Sequence, residues 1–322
     1  MKLARFVLAL LATVANAAWA QTYPTHALAL VVPFSAGGPT DTIARILAER
    51  MSRALGQTVV VENVTGAGGS IGVTKVVRAA PDGYTLGIGH IGTHVIVEAI
   101  QPVTFDVLRD LEPVAMIATN PQLIISKNAL PAKDLRELIA WTKSNESKMA
   151  AGTGGAGTPA HLMSVYFQNA TGARFEIIHY RGAAPAMQDL LAGHIDLMFD
   201  QAANSLPQVR GGKVKAYAVT SGKRLAAAPD IPTVDEAGLP GFYLSIWHGI
   251  WVAHGTPKSA IAKLNAAIVE SLADPGVRQR LTDLGQEIPS REQQTSEALG
   301  AHHKAEIEKW WPLIKAAGMK AE

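Results

Sequence analysis

The sequence predicts an α/β protein of two lobes, each a β-sheet flanked by helices, and three observations carry that reading. Short apolar runs closed by Pro or Gly alternate with longer segments whose apolar residues recur at helical spacing, as in parallel βαβ units. This pattern breaks at an extended stretch, Val114 to Lys127 with Asn120-Pro121 in its middle, and then restarts. A second extended, Trp-rich stretch, Gly241 to His254, reads as the return to the first lobe. The division expected from these crossings is 21–124 with 249–322 for lobe one and 125–248 for lobe two.

Lobe one is organised around Leu28 to Asp41. Leu28 to Val32 is short, apolar and closed by Pro33, so it reads as a buried strand. Ile43, Ile46, Leu47, Met51 and Leu55 then recur at helical spacing, and Gly56 supplies the stop. Between them lie Gly37 and Gly38 and then Pro39, which suits a first helical turn because its missing N–H would be unpaired there. Unpaired first-turn N–H groups and the helix dipole can hold an anion without Lys or Arg. Alternatively the glycines serve only a tight turn. Val59 to Asn63 reads as a second strand, Gly66 to Gly72 as a Gly-rich turn opening a helix to about Ala80. Tyr84 to His90 is a third strand, running through Gly89 into a loop with Thr93 and His94 that faces the expected cleft.

Lobe two repeats the plan. A helix begins after Pro131, and Lys148 to Ala151 is a short strand. The loop Gly152 to Thr158 precedes Pro159, so it is a second candidate anion cradle built like the first. Strand Phe175 to Tyr180 leads to Arg181 and a helix ending at Gly193; Ile195 to Phe199 is a buried strand that delivers Asp200 and Gln201 at its carboxyl end. Lys213 to Thr220 is a further strand, and helices from Pro257, from Pro275 and through Trp310 read as packing.

Composition works by exclusion. Lys2 and Arg5 precede an uncharged run ending Ala18-Trp19-Ala20, a secretory leader with cleavage expected after Ala20. The chain has 29 basic and 27 acidic residues, so removing Lys2 and Arg5 leaves 27 of each. A neutral mature protein with no basic run argues against nucleic acid or anionic lipid as partner. There is no Cys, hence no disulfide and no lipid-modified N-terminal Cys. No carboxylates, cysteines or histidines cluster at ligand spacing, so neither a metal nor a cofactor is expected.

Gly152, Gly154 and Gly157 match G-x-G-x-x-G, but the acid at the required distance, Glu176, opens its strand instead of closing it. Ser35 lies in a strand-to-helix turn without the G-x-S-x-G elbow. Arg181 suits a bidentate carboxylate contact or a structural pair with Asp200, and Asp200 is either a cleft residue or a helix N-cap.

Taken in order, Val32 to Asp41, Val61-Glu62-Asn63, Gly66-Ala67-Gly68-Gly69, Pro81 to Thr85, Gly152 to His161 and Pro232 to Gly238 resemble the Bug family, the periplasmic solute receptors of tripartite tricarboxylate transporters. The resemblance spans the mature chain. It implies a type II periplasmic-binding (Venus flytrap) fold and a carboxylate pinched between one loop from each lobe. Carried over residue by residue, it implies a first jaw of Phe34, Ser35, Ala36, Gly37 and Gly38, with Asp41 beside it. The second jaw would be Gly155, Ala156, Gly157 and Thr158, with Asp200 at the cleft floor. Gly89, His90, Thr93 and Arg181 complete the candidate ligand contacts, His90 and Arg181 as readers of a second acidic group.

The expected function is a periplasmic, monomeric receptor, without catalytic residues or cofactor, for a small organic dicarboxylate, including aromatic ones such as terephthalate. It would hand this ligand to the membrane components of a tripartite tricarboxylate transporter. The rivals are an amino-acid or nicotinate-type receptor, favoured if Asp200 is unpaired, and a periplasmic serine hydrolase using Ser35 or Ser70 with a histidine.

Overall fold

The computed structural model describes residues 23–321; the expected leader and its cleavage after Ala20 lie outside them. Strands β1 (Leu28–Val32), β2 (Val59–Asn63) and β3 (Thr85–His90) are parallel in the order β2-β1-β3. The remaining strands are β4 (Leu111–Lys127), β5 (Ala150–Thr153), β6 (Glu176–His179), β7 (Leu197–Gln201), β8 (Val214–Val219) and β9 (Ser245–Ala253). β5, β6 and β7 form the second parallel set. Both sets follow from the βαβ pattern.

The two sets meet on β4. Its first part pairs antiparallel with β9, from Leu111 opposite Ala253 to Pro121 opposite Ser245. From Gln122 onward the partner changes: Gln122 to Ser126 pair with β7, and Leu123 to Lys127 with β8. β9 in turn pairs antiparallel with β3. Both expected crossings are therefore strands, hydrogen-bonded to each other along the boundary between the lobes.

The helices are α1 (Pro39–Leu55), α2 (Ser70–Val77), α3 (Val97–Ile100), α4 (Leu135–Ser144), α5 (Pro159–Thr171), α6 (Ala183–Ala192), α7 (Ala202–Arg210), α8 (Lys258–Ala273), α9 (Pro275–Asp283) and α10 (Ser296–Ala316). α1 buries the apolar face read from its spacing, and Gly56 ends it at φ 68°, a left-handed position that suits glycine. Along β1, alternate residues serve opposite faces of the sheet. Leu28, Leu30 and Val32 pack under α1 and α8 with Ile43, Leu47, Met51 and Ile268, whereas Val31 packs with Val73 and Val76 of α2. Each such fully buried aliphatic side chain contributes about 1.5–3 kcal/mol.

One segment differs from expectation. Residues after His90 are not a cleft-facing loop but a wide helical turn, Gly92–Ile96, continued by α3. Ile91, Val95, Ile96 and Val97 are all buried, and burying them winds the segment inward and takes Thr93 and His94 with it. α10 locks the turn: His303 Nε2 donates to the His94 carbonyl at 2.6 Å and Trp311 Nε1 to the Val95 carbonyl at 2.9 Å.

Gly89 is what lets this turn fold back. A Cβ there would lie 2.0 Å from Cε1 of His94, whose ring stacks on Trp251 with centroids 3.9 Å apart. Thr93 Oγ1, 2.9 Å from His94 Nδ1, restrains the same ring. Gly89→Ala should therefore cost about 1–3 kcal/mol of stability. Urea unfolding measures this, and an unchanged midpoint would mean that the ring can move aside.

Candidate functional site

Three helices begin at one point between the lobes. β1 delivers Phe34, and the loop Ser35–Gly38 turns the chain into α1; β5 delivers Thr153, and Gly154–Thr158 turn it into α5; β6 leads through Tyr180–Gly182 into α6. The first residues of all three, Pro39 and Thr40, Pro159 and Ala160, and Ala183, line one cavity of about 40 Å³. Gly38, Gly154 and Thr158 line it as well, together with Phe34 and His90 from lobe one. Gln122, Phe199, Asp200 and Gln201 line it from β4 and β7. Among the described residues no Lys or Arg lines it. Helix N-termini are therefore the groups that bring partial positive charge to it.

The first jaw is braced from behind. Asp41 Oδ2 accepts from the Gly37 N–H at 2.8 Å and from Arg45 Nε at 2.9 Å. Its Oδ1 accepts from Asn63 Nδ2 at 2.9 Å, and the same Nδ2 donates to the Phe34 carbonyl. Burial raises the Asp41 pKa, but the hydrogen bonds from Arg45, Gly37 and Asn63 outweigh it and hold the group below the ordinary carboxylate range. Asp41 thus spends its acceptors inside lobe one. Ala36, Gly37 and Asp41 face an outer groove instead of the cavity.

The second jaw also ties up donors that the sequence reading left free. Thr158 Oγ1 donates to the Gly155 carbonyl at 2.7 Å and accepts from the His161 N–H at 3.4 Å. Gly155 N–H donates to Thr153 Oγ1 and Gly157 N–H to His161 Nδ1, both at 3.2 Å. Burial pushes the His161 pKa down to about 4, with a smaller contribution from His179, so its ring is neutral and able to accept.

His90 is buried and stacks on Phe34 with ring centroids 4.8 Å apart. Its Nδ1 accepts from the Gly92 N–H at 2.9 Å, and burial lowers its pKa to about 3. A neutral ring that accepts at Nδ1 carries its proton on Nε2, which has no protein partner among the described residues and remains a donor. Behind it, His248 Nε2 lies 3.3 Å from Thr40 Oγ1.

Asp200 is not paired with Arg181. Its Oδ2 accepts from Asn204 Nδ2 and Ser205 Oγ, both at 2.7 Å, in the first turns of α7. Burial pushes its pKa up to about 6 against the lowering effect of Ser205, Asn204 and the Gln201 backbone. Arg181 is exposed and lines a separate crevice of about 250 Å³ with Gly155, Ala156 and His179. Phe34 and Gly154 border both spaces. His90 and Arg181, expected as readers of a second acidic group, line different spaces.

Of the residues picked from sequence, Phe34, Gly38, His90, Thr158 and Asp200 meet at the cavity. Ser35, Gly89, Thr93 and Gly157 do not line it; Ser35 instead packs against Gly182, where a Cβ would lie 2.2 Å from its Oγ. Thr40, Ala160 and Ala183 were missed although the helix N-terminus argument applies to them. Gln122 carried no sequence signal, and Gln201 only its place at the carboxyl end of a buried strand. They are neighbours only through the β4–β7 register.

The jaws touch. A Cβ on Gly68 would lie 2.2 Å from the Ala156 carbonyl oxygen, and one on Gly92 would lie 3.0 Å from Cδ of Pro159. The cavity is therefore that of a closed form, with room for a few waters or a small ligand.

Comparison with known proteins agrees with this geometry. The family model described as tripartite tricarboxylate transporter family receptor matches residues 43–319. The structure of the periplasmic binding protein BugD superposes with a TM-score of 0.90 at 42% identity, over 93% of this chain and 100% of that one. MatC from Rhodopseudomonas palustris with bound malate gives 0.87 at 38% identity, covering 91% and 100%. The Rhodopseudomonas palustris protein Rpa4515 with adipate gives 0.88 at 31% identity, covering 92% and 99%.

The raised pKa of Asp200 has a sign that can be tested. The folded protein keeps this proton to about pH 6, while the unfolded chain loses it near 3.9. The group's stabilising effect is thus complete below pH 4 and is lost as pH rises through 6. Asn at this position cannot ionise, so relative to wild type Asp200→Asn should gain about 2–3 kcal/mol between pH 4 and pH 7.5. Ligand-free urea unfolding at the two pH values measures it; a constant difference would place the Asp200 pKa in its ordinary range.

Proposed function

The chain belongs to the tripartite tricarboxylate transporter receptor family, the Bug family of periplasmic solute-binding proteins, and from that premise we propose that it captures a small organic carboxylate between its lobes. The observation that carries this reading is the convergence of the α1, α5 and α6 N-termini on a closed cavity with no cationic side chain in its lining. One carboxylate group accepts from the free first-turn N–H groups of both jaws. A dicarboxylate is favoured because His90 Nε2–H supplies a further donor beside Phe34, whose ring makes an apolar wall. The dicarboxylates named for the similar structures, malate and adipate, support the same class.

Capture without chemistry is the reading that the cleft serines support. Ser35 Oγ is buried without a hydrogen-bond partner, and Ser70 Oγ has Gln101 Nε2 at 3.4 Å instead of a histidine. The leader ending at Ala20 would carry the chain to the periplasm, where the loaded, closed form would be handed to the membrane components of the transporter. Lobe limits near 124 and 248 would place the hinge where β4 exchanges β9 for β7 and β8.

Two outcomes test this. In a thermal-shift screen of carboxylates, a ligand at 100 times its dissociation constant should add about 2.7 kcal/mol of stability. No stabilisation by any mono-, di- or tricarboxylate would remove the reading. Gly68→Ala should hold the jaws apart through the Ala156 carbonyl and lower affinity at least about tenfold by calorimetry, while its left-handed backbone (φ 65°) costs roughly 1–2 kcal/mol of stability. Unchanged affinity would show that the ligand is held without this contact.

A further inference from the structure

The donors around the cavity suit a carboxylate, but two groups on its lobe-two side are acceptors. Gln122 is 1% exposed, and its Oε1 is buried with no hydrogen-bond partner. Its Nε2 lies 3.4 Å from the Phe199 carbonyl, so turning the amide over would set oxygen against oxygen. Asp200 is 3% exposed; Asn204 and Ser205 both donate to Oδ2 and the Gln201 backbone N–H also donates to the carboxyl group, while no other side chain does. Both residues line the same cavity of about 40 Å³. Neither Asn204 nor Ser205 serves Gln122, and Gln201 opposite it accepts from Asn120 Nδ2 at 3.4 Å through Oε1 without a hydrogen bond to Gln122 Oε1.

We infer that Gln122 and Asp200 form the acceptor side of the ligand site and take a hydrogen-bond donor carried by the ligand, so that an acid bearing a hydroxyl or ammonium group beside its carboxylate is selected over the unsubstituted acid. This rests on the carboxylate reading of the cavity. A carboxylate has no proton to offer, so a plain alkanedioate closes the cleft on Gln122 Oε1 without a partner and adds no donor to Asp200. A hydroxyl or ammonium on the adjacent carbon supplies the missing proton while the carboxylate stays on the helix N-termini. The penalty for an unpaired buried acceptor corresponds to at least about tenfold in affinity.

The two donor chemistries make different demands on Asp200. A hydroxyl needs only an acceptor oxygen, which Asn also provides. An ammonium gains from the negative charge, which Asn lacks. Gln122 is neutral and serves either.

Calorimetry on the full mature chain at pH 7.5 tests the inference with matched four-, five- and six-carbon diacids, each carrying hydrogen, hydroxyl or ammonium at C2. Succinate, malate and aspartate form the first set. For the skeleton that binds best, the hydroxy or amino acid should bind at least about tenfold tighter than its parent. Gln122→Met should shrink that ratio, with thermal unfolding reporting that the variant is folded. Asp200→Asn should weaken the amino acid by more than tenfold if the natural donor is an ammonium, and spare the hydroxy acid if it is a hydroxyl. Parents binding within twofold of both substituted acids overturn the inference and leave the carboxylate reading standing. No binding by any of the acids overturns both.

Discussion

The change of partners along β4 is the constraint on which the rest of the molecule depends. A single strand bonds to β9 up to Pro121 and to β7 and β8 from Gln122 onward. Pro121 lacks a backbone N–H, and it falls at the residue where the ladder is exchanged. Because β4 belongs to both sheets, the carboxyl ends of β1 and β3 face those of β5 and β7 across one gap. The Gly-rich turns that open α1, α5 and α6 therefore meet there. Two strands, β4 and β9, join the two lobes there.

The electrostatics of that gap are built from groups without net charge. The histidines around it are neutral: His90 and His248 are held so by burial, and His161 by burial and its neighbour His179. The cations nearest the jaws are used elsewhere or lie outside, Arg45 on Asp41 and Arg181 in the outer crevice. A receptor must release its ligand as well as bind it. Backbone donors that are shared between lobes lose half their number on opening, whereas a buried guanidinium would hold its anion in the open form too. The single acid in the lining, Asp200, is pushed toward its neutral form by burial, against the donors Ser205 and Asn204, which favour its ionised form.

Much of the jaw structure is spent on its own rigidity. Asp41, Asn63 and Arg45 brace the first loop; Thr153, Thr158 and His161 brace the second. Asp41, Thr153, Thr158 and His161 each take an N–H that a reading of the loop alone would offer to the ligand. The free donors are those that these side chains leave over, near the helix starts at Thr40, Ala160 and Ala183. Loops built from glycine are permissive, and fixing them in one shape is what makes a small set of N–H groups effective.

The sequence alone determined most of the elements, their order and the family, because these rest on local physics: apolar spacing, Pro at a helix start and Gly at a helix end. It also pointed to helix N-termini as candidate binding groups, from Pro at helix starts behind Gly-rich turns. Only the tertiary structure decided which of those groups reach the ligand space. Thr93 turned inward because Ile91 and Val95 needed burial, and Arg181 lines a different space from His90. Gln122 joined Asp200 through a strand register linking positions 78 residues apart. Register, ring placement and competition for hydrogen bonds depend on partners distant in the chain, and no local pattern encodes them.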